Sequence, residues 1–265
     1  MVILITGISS GFGKAMATRL NADGHKVYGT YRKCEDFIPG VTYIKADSQV
    51  ADQCEAAVRQ VVDAEGRIDV FINNAGMGIG GPLEYSSLED AQLQMDINWM
   101  GMVRYLHYVV PVMRRQGGGK IVCFSSIGGM MGLPFQGLYS ASKFAIEGYC
   151  EALRLETAAF GIKVVVIEPG DFSTSFTAKR RSVSDPEAYE VYKTYAESLA
   201  SIEHDETTGL KPDFLAAKIS KIIVKSNPAH RYVIATLEQR LSVILKAILP
   251  SKWFARILSS YYHLV

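Results

Sequence analysis

Short runs of aliphatic and β-branched residues alternate with longer helical patterns over the first two thirds of the chain. The apolar content of these runs is nearly continuous, as expected for strands that helices cover on both faces. The predicted strands are Val2–Thr6, Lys26–Tyr31, Val41–Ala46, Ile68–Asn73, Lys120–Ser125 and Ile162–Glu168, and the predicted helices lie around Gly13–Asp23, Ala51–Glu65, Leu88–Gln116 and Leu138–Phe160. This alternation predicts repeated β-α-β units. A length of 265 residues then fits one α/β domain, residues 1–265, built on a doubly wound parallel sheet.

The pattern changes after Gly170. Residues 171–212 are polar, charged and rich in tyrosine, with no strand signal, and we expect them to form a partly helical lid on the substrate side of the domain. A helix at Phe214–Ser226, a short strand at Arg231–Ala235 and an amphipathic tail over residues 237–264 are predicted to follow in the same domain.

Composition argues against several kinds of partner and site. The net charge is +1 and no cluster of Lys and Arg resembles a groove-binding surface, so no nucleic-acid partner is expected. The four cysteines lack metal-ligand or redox spacing, so we expect no metal site and a reducing, cytoplasmic compartment. The apolar run at the N-terminus is only a few residues long and precedes a glycine turn, which indicates a buried strand and not a signal peptide.

A glycine-rich turn, Thr6–Gly13, lies between the first predicted strand and the first predicted helix. Glycines in this position let the chain turn tightly, so that backbone N–H groups at the helix N-terminus can approach a pyrophosphate. The spacing is G-x-x-x-G-x-G, which differs from the generic dinucleotide-binding pattern, and a plain tight turn is the alternative interpretation. The candidate cofactor-binding residues here are Gly7, Ser9, Ser10, Gly11, Phe12 and Gly13.

The end of the second predicted strand bears on the choice of cofactor. NAD enzymes with this arrangement usually place an acidic residue here, to accept a hydrogen bond from the ribose 2′-hydroxyl. In this chain Tyr31 takes that place, followed by Arg32 and Lys33, and an arginine can pair with a 2′-phosphate. The pattern therefore favours NADP(H), with solvated surface cations as the alternative. Asp47 and the neighbouring Ser48 follow the third strand, where Asp47 is placed either to contact the adenine or to cap the next helix.

Tyr139 and Lys143 are four residues apart at the start of a predicted helix, so they project from the same face. A nearby ammonium is expected to stabilise the tyrosine phenolate and to lower its pKa. Ser126, at the end of a predicted strand, is a candidate to hold a substrate oxygen as negative charge develops. A Tyr-x-x-x-Lys pair alone also occurs by chance on exposed helices, and it is the combination with the glycine turn that favours a catalytic interpretation.

The order and spacing of these motifs resemble the short-chain dehydrogenase/reductase superfamily, whose members have a Rossmann-type fold. The resemblance extends from residue 2 to about residue 174, and more loosely to the C-terminus. It rests on Thr6–Gly13, Asn73–Gly76, Asn98, Ser126, Tyr139, Lys143 and Pro169–Gly170.

The resemblance implies an oxidoreductase that interconverts an alcohol and a ketone, with Tyr139 as the general acid or base. Lys143 would lower the pKa of Tyr139 and bind the nicotinamide ribose, and Ser126 would orient the substrate oxygen. Asn98 would hold the helix geometry and a water that relays protons to Lys143. Six further positions would lie against the cofactor: Asn74, Ala75, Gly76, Pro169, Gly170 and Thr174. Of these, Thr174 would reach the carboxamide of the nicotinamide. The alternatives are a non-catalytic NADP-binding sensor or scaffold on the same fold, and an epimerase or dehydratase.

The substrate is expected to be a bulky, lipophilic ketone or secondary alcohol, because residues 132–148 are similar to the hydroxysteroid and retinol dehydrogenase branch. A steroid-like, retinoid-like or long-chain compound would suit a cleft lined by residues 128–135. Other apolar residues are expected to close over that cleft or to be ordinary packing: Met77, Tyr85, Phe172, Phe176, Tyr192, Tyr195 and Leu199.

The tail over residues 237–264 mixes apolar residues with four basic ones. A basic amphipathic helix pair can lie on a membrane surface, cover a substrate cleft or form a subunit interface, and the sequence leaves these three open. The long helices predicted at Leu88–Gln116 and Leu138–Phe160 resemble those that pair members of the superfamily, so we expect a homodimer or homotetramer.

Overall fold

The computed structural model describes residues 1–264. Seven strands form one parallel sheet in the order β3-β2-β1-β4-β6-β7-β9, and β5 and β8 form a separate two-stranded pair. The strands are β1 (Val2–Ile5), β2 (Lys26–Tyr31), β3 (Thr42–Lys45), β4 (Val70–Asn73), β5 (Ile79–Gly80), β6 (Gly119–Phe124), β7 (Ile162–Pro169), β8 (Arg181–Ser182) and β9 (Arg231–Ile234). This arrangement confirms the predicted doubly wound, Rossmann-type sheet in a single domain.

Helices cover both faces of the sheet. They are α1 (Gly11–Ala22), α2 (Ala51–Glu65), α3 (Leu88–Met95), α4 (Gly101–Arg115), α5 (Gly137–Thr157), α6 (Phe176–Lys179), α7 (Pro186–Val191), α8 (Tyr195–Thr208), α9 (Pro212–Ile223), α10 (Leu237–Ile248) and α11 (Ser251–Tyr261). One core packs α2, α4 and α5 against the sheet, and a second core packs α1 and α9 against the other face. Because both faces are buried, the strands are apolar throughout, which explains the continuous runs in the sequence.

The direction of winding reverses at β1, which lies between β2 and β4. In open parallel sheets, ligands bind beside the carboxyl ends of the strands at such a switch point. The glycine-rich turn follows β1 at that edge, and the chain leaving β6 reaches Ser126 there. The topology therefore brings the predicted cofactor residues and the predicted catalytic residues to one crevice.

The prediction of one long helix over Leu88–Gln116 was wrong in detail. A π-helical turn, Asp96–Met100, separates α3 from α4. Asn98 lies in this turn, where its side chain bonds to a neighbouring loop and to α5 instead of facing solvent. Extra residues of this kind within helices are frequent at functional sites.

The stretch 171–212, predicted to be partly helical, contains α6, α7 and α8. It also contains a strand that the sequence did not predict, β8, which pairs in parallel with β5. Arg181 and Ser182 are too short and too polar a run to give a strand signal, and they pair because the loop lies alongside Ile79–Gly80.

The tail forms a helical hairpin. A capping box between Thr236 and Gln239 starts α10, and Pro250 separates α10 from α11. Val243 and Phe254 are buried against Ile127 and Met131, which lie just after β6. Within residues 1–264 no helix has both the length and the apolarity needed to cross a bilayer.

Candidate functional site

The glycine-rich turn Thr6–Gly13 forms a concave surface, called the glycine cradle below. Side chains in place of its glycines would fill that surface. Gly7 has φ +73°, a backbone conformation that L side chains rarely adopt. A Cβ on Gly13 would lie 2.0 Å from the Gly7 carbonyl oxygen, so α1 and the turn approach each other more closely than any other residue allows. The Asn74 amide donates to the carbonyls of Thr6 and Gly7 at 2.9 and 3.0 Å, which fixes the turn against the end of β4. The bare backbone at the α1 N-terminus fits a pyrophosphate.

Two cations lie beside this cradle. The Arg32 guanidinium, at the end of β2, is 3.9 Å from the Asp47 carboxylate and largely exposed. Lys179 reaches over from α6, and its ammonium lies 3.0 Å from the Ser10 hydroxyl. The sequence did not indicate Lys179, because it follows Ser10 by 169 positions and no local motif marks it. Asp47 does not cap α2, whose N-cap is Val50; its carboxylate accepts a hydrogen bond from the Gln49 backbone.

Ser126, Tyr139 and Lys143 meet on the opposite wall of the crevice. The Ser126 hydroxyl accepts a hydrogen bond of 3.0 Å from the Gly128 N–H, which orients its oxygen. The Lys143 ammonium donates to the Phe124 carbonyl at 2.8 Å and lies 5.5 Å from the centre of the Tyr139 ring. The hydroxyl of the neighbouring Ser125 donates to the Lys143 carbonyl at 3.4 Å.

The pKa values of this pair differ from the sequence expectation. Burial raises the pKa of Tyr139 to about 12, and the Ser126 hydroxyl only partly opposes this. Burial also lowers the pKa of Lys143 to about 8, because desolvation disfavours the charged form. Lys143 is not among the groups that act most strongly on the pKa of Tyr139, so the predicted lowering by its ammonium is not found and burial sets the direction of the shift. Tyr139 is therefore protonated at neutral pH, which is the form that a general acid needs.

Asn98 lies behind this wall and does not line the crevice. Its amide bonds both the N–H and the C=O of Met77, at 2.8 and 3.0 Å, and donates to the Ser142 hydroxyl at 3.0 Å. Ser142 precedes Lys143 on α5, so Asn98 ties the loop after β4 to the helix that carries Tyr139 and Lys143.

The crevice is one continuous cavity of about 1270 Å³. Most of the predicted site residues line it, namely Gly7, Ser9, Ser10, Gly11, Phe12, Arg32, Asp47, Ser48, Asn74, Ala75, Gly76, Ser126, Tyr139, Lys143, Pro169, Gly170 and Thr174. Of the predicted site residues within 1–264, Gly13 and Asn98 lie outside that lining. Apolar residues of the tail hairpin form the far wall, among them Leu245, Phe254 and Leu258.

The apolar residues proposed for the substrate cleft divide between the two roles that the sequence left open, lining and packing. Met77, Phe172 and Phe176 line the cavity, and so do Met131 and Leu133. The remaining four proposed lid residues are not among the described residues that line it: Tyr85, Tyr192, Tyr195 and Leu199. Three of them stack in an aromatic cluster around Phe135, with centroids 5.0 to 6.3 Å apart. These three therefore serve as packing and not as cavity lining.

Three carboxyl groups that the sequence did not single out line the substrate end: Asp171, Asp205 and Glu206. Glu206 pairs with Arg180 and accepts from the Thr177 hydroxyl, and Asp205 accepts from Tyr261. Among the side chains of residues 1–264, only the neutral amide of Gln239 donates a hydrogen bond to the Asp171 carboxyl group. Burial, together with Glu206 and Asp205, raises the pKa of Asp171 to about 7. A cation placed here would be stabilised by all three groups.

Comparisons with known proteins agree with this geometry. A family model described as short chain dehydrogenase matches residues 1–185. The chain is 45% identical to 3-ketodihydrosphingosine reductase of Bacteroides thetaiotaomicron over 98% of this chain and 97% of that protein. It is 39% identical to 17-beta-hydroxysteroid dehydrogenase type 1 of Mus musculus over 67% of this chain, but spans only 56% of that protein. A short-chain dehydrogenase structure from Streptomyces avermitilis superposes with TM-score 0.84 at 26% identity, covering 99% of this chain and 97% of the other.

Proposed function

The chain belongs to the short-chain dehydrogenase family, in its hydroxysteroid and retinol dehydrogenase branch, and we propose that it is an NADPH-dependent reductase of long-chain amino ketones. The family makes it an oxidoreductase of carbonyls and alcohols with a nicotinamide cofactor. The observation that supports the proposal most is that Ser126, Tyr139 and Lys143 share one cavity with the glycine cradle and an apolar wall.

The protein's part in the reaction is to place the ketone and to supply a proton. NADPH, when bound, supplies the hydride. The Tyr139 hydroxyl, which is protonated throughout the neutral range, donates a proton to the substrate oxygen as negative charge develops there. The Ser126 hydroxyl, oriented by the Gly128 N–H, supports the same oxygen. Lys143 keeps two N–H donors beyond the one that it gives to Phe124, and these can bind the nicotinamide ribose.

Preference for NADPH over NADH is supported by charge at the end of β2. Tyr31 stands where an acidic residue would repel a 2′-phosphate, and Arg32 follows it at the cavity wall. An arginine can bind a phosphate through two parallel hydrogen bonds. Lys179, beside Ser10, adds a second positive charge near the cradle.

The substrate class is supported by the cavity and by the relative from Bacteroides. A 3-ketodihydrosphingosine is a long-chain ketone whose neighbouring carbon carries an amino group. Asp171 and Glu206 line the same cavity as Tyr139, and their charges act on its pKa, so an ammonium next to the ketone would be attracted to them when the oxygen faces Tyr139. The apolar wall of the tail hairpin would hold the hydrocarbon chain.

The first test is Tyr139→Phe assayed with NADPH and 3-ketodihydrosphingosine. Removing only the hydroxyl should abolish turnover and leave the dissociation constant of NADPH nearly unchanged. Normal turnover by the variant would refute the mechanism. If the native protein bound NADPH tightly and reduced none of a panel of steroid, retinoid and long-chain ketones, a sensor or scaffold role would replace the reductase role.

The second test separates the amino group from the chain. Asp171→Asn should lower kcat/KM for the amino ketone by about tenfold or more, because a charge-assisted contact contributes about 1.5–3 kcal/mol. The same variant should reduce a ketone of equal chain length without the amino group as well as the native protein does. Equal losses on both ketones would show that Asp171 does not bind the ammonium.

A further inference from the structure

The two tail helices expose an apolar face. We define the C-terminal apolar face as Leu237, Leu241, Ile244 and Ile248 of α10 with Trp253, Ile257 and Tyr261 of α11, all between 49% and 80% exposed. At about 100° per residue, each set falls within an arc of roughly 80° on its helix. Their inward neighbours, including Val243 and Phe254, are buried against the domain. An amphipathic helix normally turns its apolar surface to the core, whereas the apolar surface of each of these helices extends around to the solvent side.

The substrate cavity opens at this face. Leu241, Ile257 and Tyr261 are about half exposed and also line the cavity, so they form its rim. Leu245 and Leu258 line the cavity deeper in, between the helices and Met131. A hydrocarbon chain passing the rim would therefore remain in contact with apolar side chains on both sides.

Charge distinguishes between two possible occupants of this face, a second copy of the chain and a lipid surface. Residues 237–261 contain Arg240, Lys246, Lys252 and Arg256 against the single acidic Glu238, a net charge of +3, whereas the rest of the chain carries −2. Arg240 and Arg256 both flank the apolar stripes of their helices. A second copy would place like charges opposite one another, which is unfavourable, while anionic lipid headgroups would neutralise them.

We propose that the C-terminal apolar face docks the protein on an anionic phospholipid surface, with the cavity rim against the bilayer. The apolar side chains would enter the boundary between headgroups and acyl chains, and the basic residues would contact the headgroups. Docking would let a lipophilic substrate enter the cavity without crossing water. This surface binding does not depend on the reductase activity proposed above, and it is measured without turnover.

The experiment measures partition of the full-length protein onto vesicles of phosphatidylcholine alone or mixed with phosphatidylglycerol. We expect binding to the mixed vesicles at least about tenfold tighter, weakening as salt is added. Trp253 lies on the face, whereas Trp99 packs against the core, so fluorescence should shift to the blue on binding and Trp253→Phe should remove that shift. Absence of binding to either vesicle would overturn the proposal.

Paired variants test whether this face is responsible. Ile244→Gln with Ile248→Gln should weaken partition by about tenfold or more, since neither residue lines the cavity and each loses an inserted apolar side chain. The matched control, Leu88→Gln with Leu155→Gln, alters two similarly exposed apolar residues elsewhere and should bind like the native protein. Equal weakening in both pairs would overturn the proposal. So would a native dimer, seen by sedimentation without vesicles, that the Ile244 and Ile248 changes convert to a monomer.

Discussion

Replacing Arg32 by Gln is expected to weaken NADPH binding while leaving NADH binding nearly unchanged. The change removes one positive charge from the end of β2 and leaves a shorter, neutral polar side chain. Because Arg32 is exposed and its nearest carboxylate, Asp47, lies 3.9 Å away, its loss should cost the folded protein little stability. The effect should therefore appear in cofactor affinity and not in the melting temperature.

The size of the effect follows from distance and exposure. A unit charge about 4 Å from a phosphate oxygen contributes about 1 kcal/mol in bulk water and about 4 kcal/mol at the effective dielectric of a protein surface. The Arg32 side chain is 63% exposed, which places it toward the weaker end. We expect a loss of about 1–2 kcal/mol, or roughly a 5- to 30-fold increase in the Kd of NADPH.

The assay is a fluorescence titration of each cofactor at several salt concentrations. Arg67→Gln is the matched control, because Arg67 is also exposed and paired with a nearby aspartate but does not line the cavity. Added salt should reduce the difference between the native protein and Arg32→Gln for NADPH. Equal weakening of NADPH and NADH, or no weakening of NADPH, would refute the assignment of Arg32 to the 2′-phosphate.

Three further changes test other parts of the structure. Gly13→Ala would place a Cβ too close to the Gly7 carbonyl oxygen, which should distort the cradle and weaken NADPH binding. NADPH should then no longer raise the melting temperature, and a native-like rise would contradict the assignment of the cradle to the pyrophosphate. Glu168 is fully buried, and burial beside Glu147 raises its pKa from 4.5 to about 7. Because its folded-state pKa is the higher one, its contribution to stability is present below about pH 4.5 and lost as pH rises through about 7. Glu168→Gln should flatten the fall in melting temperature between about pH 5 and 8, and parallel curves for both proteins would refute this. Asn98→Ala removes the bonds to Met77 and Ser142, so kcat should fall far more than NADPH affinity; equal losses in both would indicate general unfolding.

Local patterns in the sequence were sufficient to predict the sheet, the cradle and the Tyr139–Lys143 pair. Strand and helix periodicities, a glycine cluster between a strand and a helix, and two side chains one helical turn apart are all properties of neighbouring residues. The parallel connectivity then places the carboxyl ends of the strands at one edge, which is why Ser126 and the glycine turn could be assigned to the same site.

Only the tertiary structure determined features that depend on residues far apart in the chain. The π-helical turn at Asn98 depends on bonds to Met77 and Ser142, and Lys179 reaches Ser10 from α6. Burial, which the spacing of two residues does not report, raises the pKa of Tyr139 instead of lowering it. The cavity rim and the exposed apolar face likewise exist because the tail folds back over Ile127 as a hairpin. The amphipathic pattern of that tail specifies which residues share a face, but only packing against the rest of the domain decides which face is left exposed.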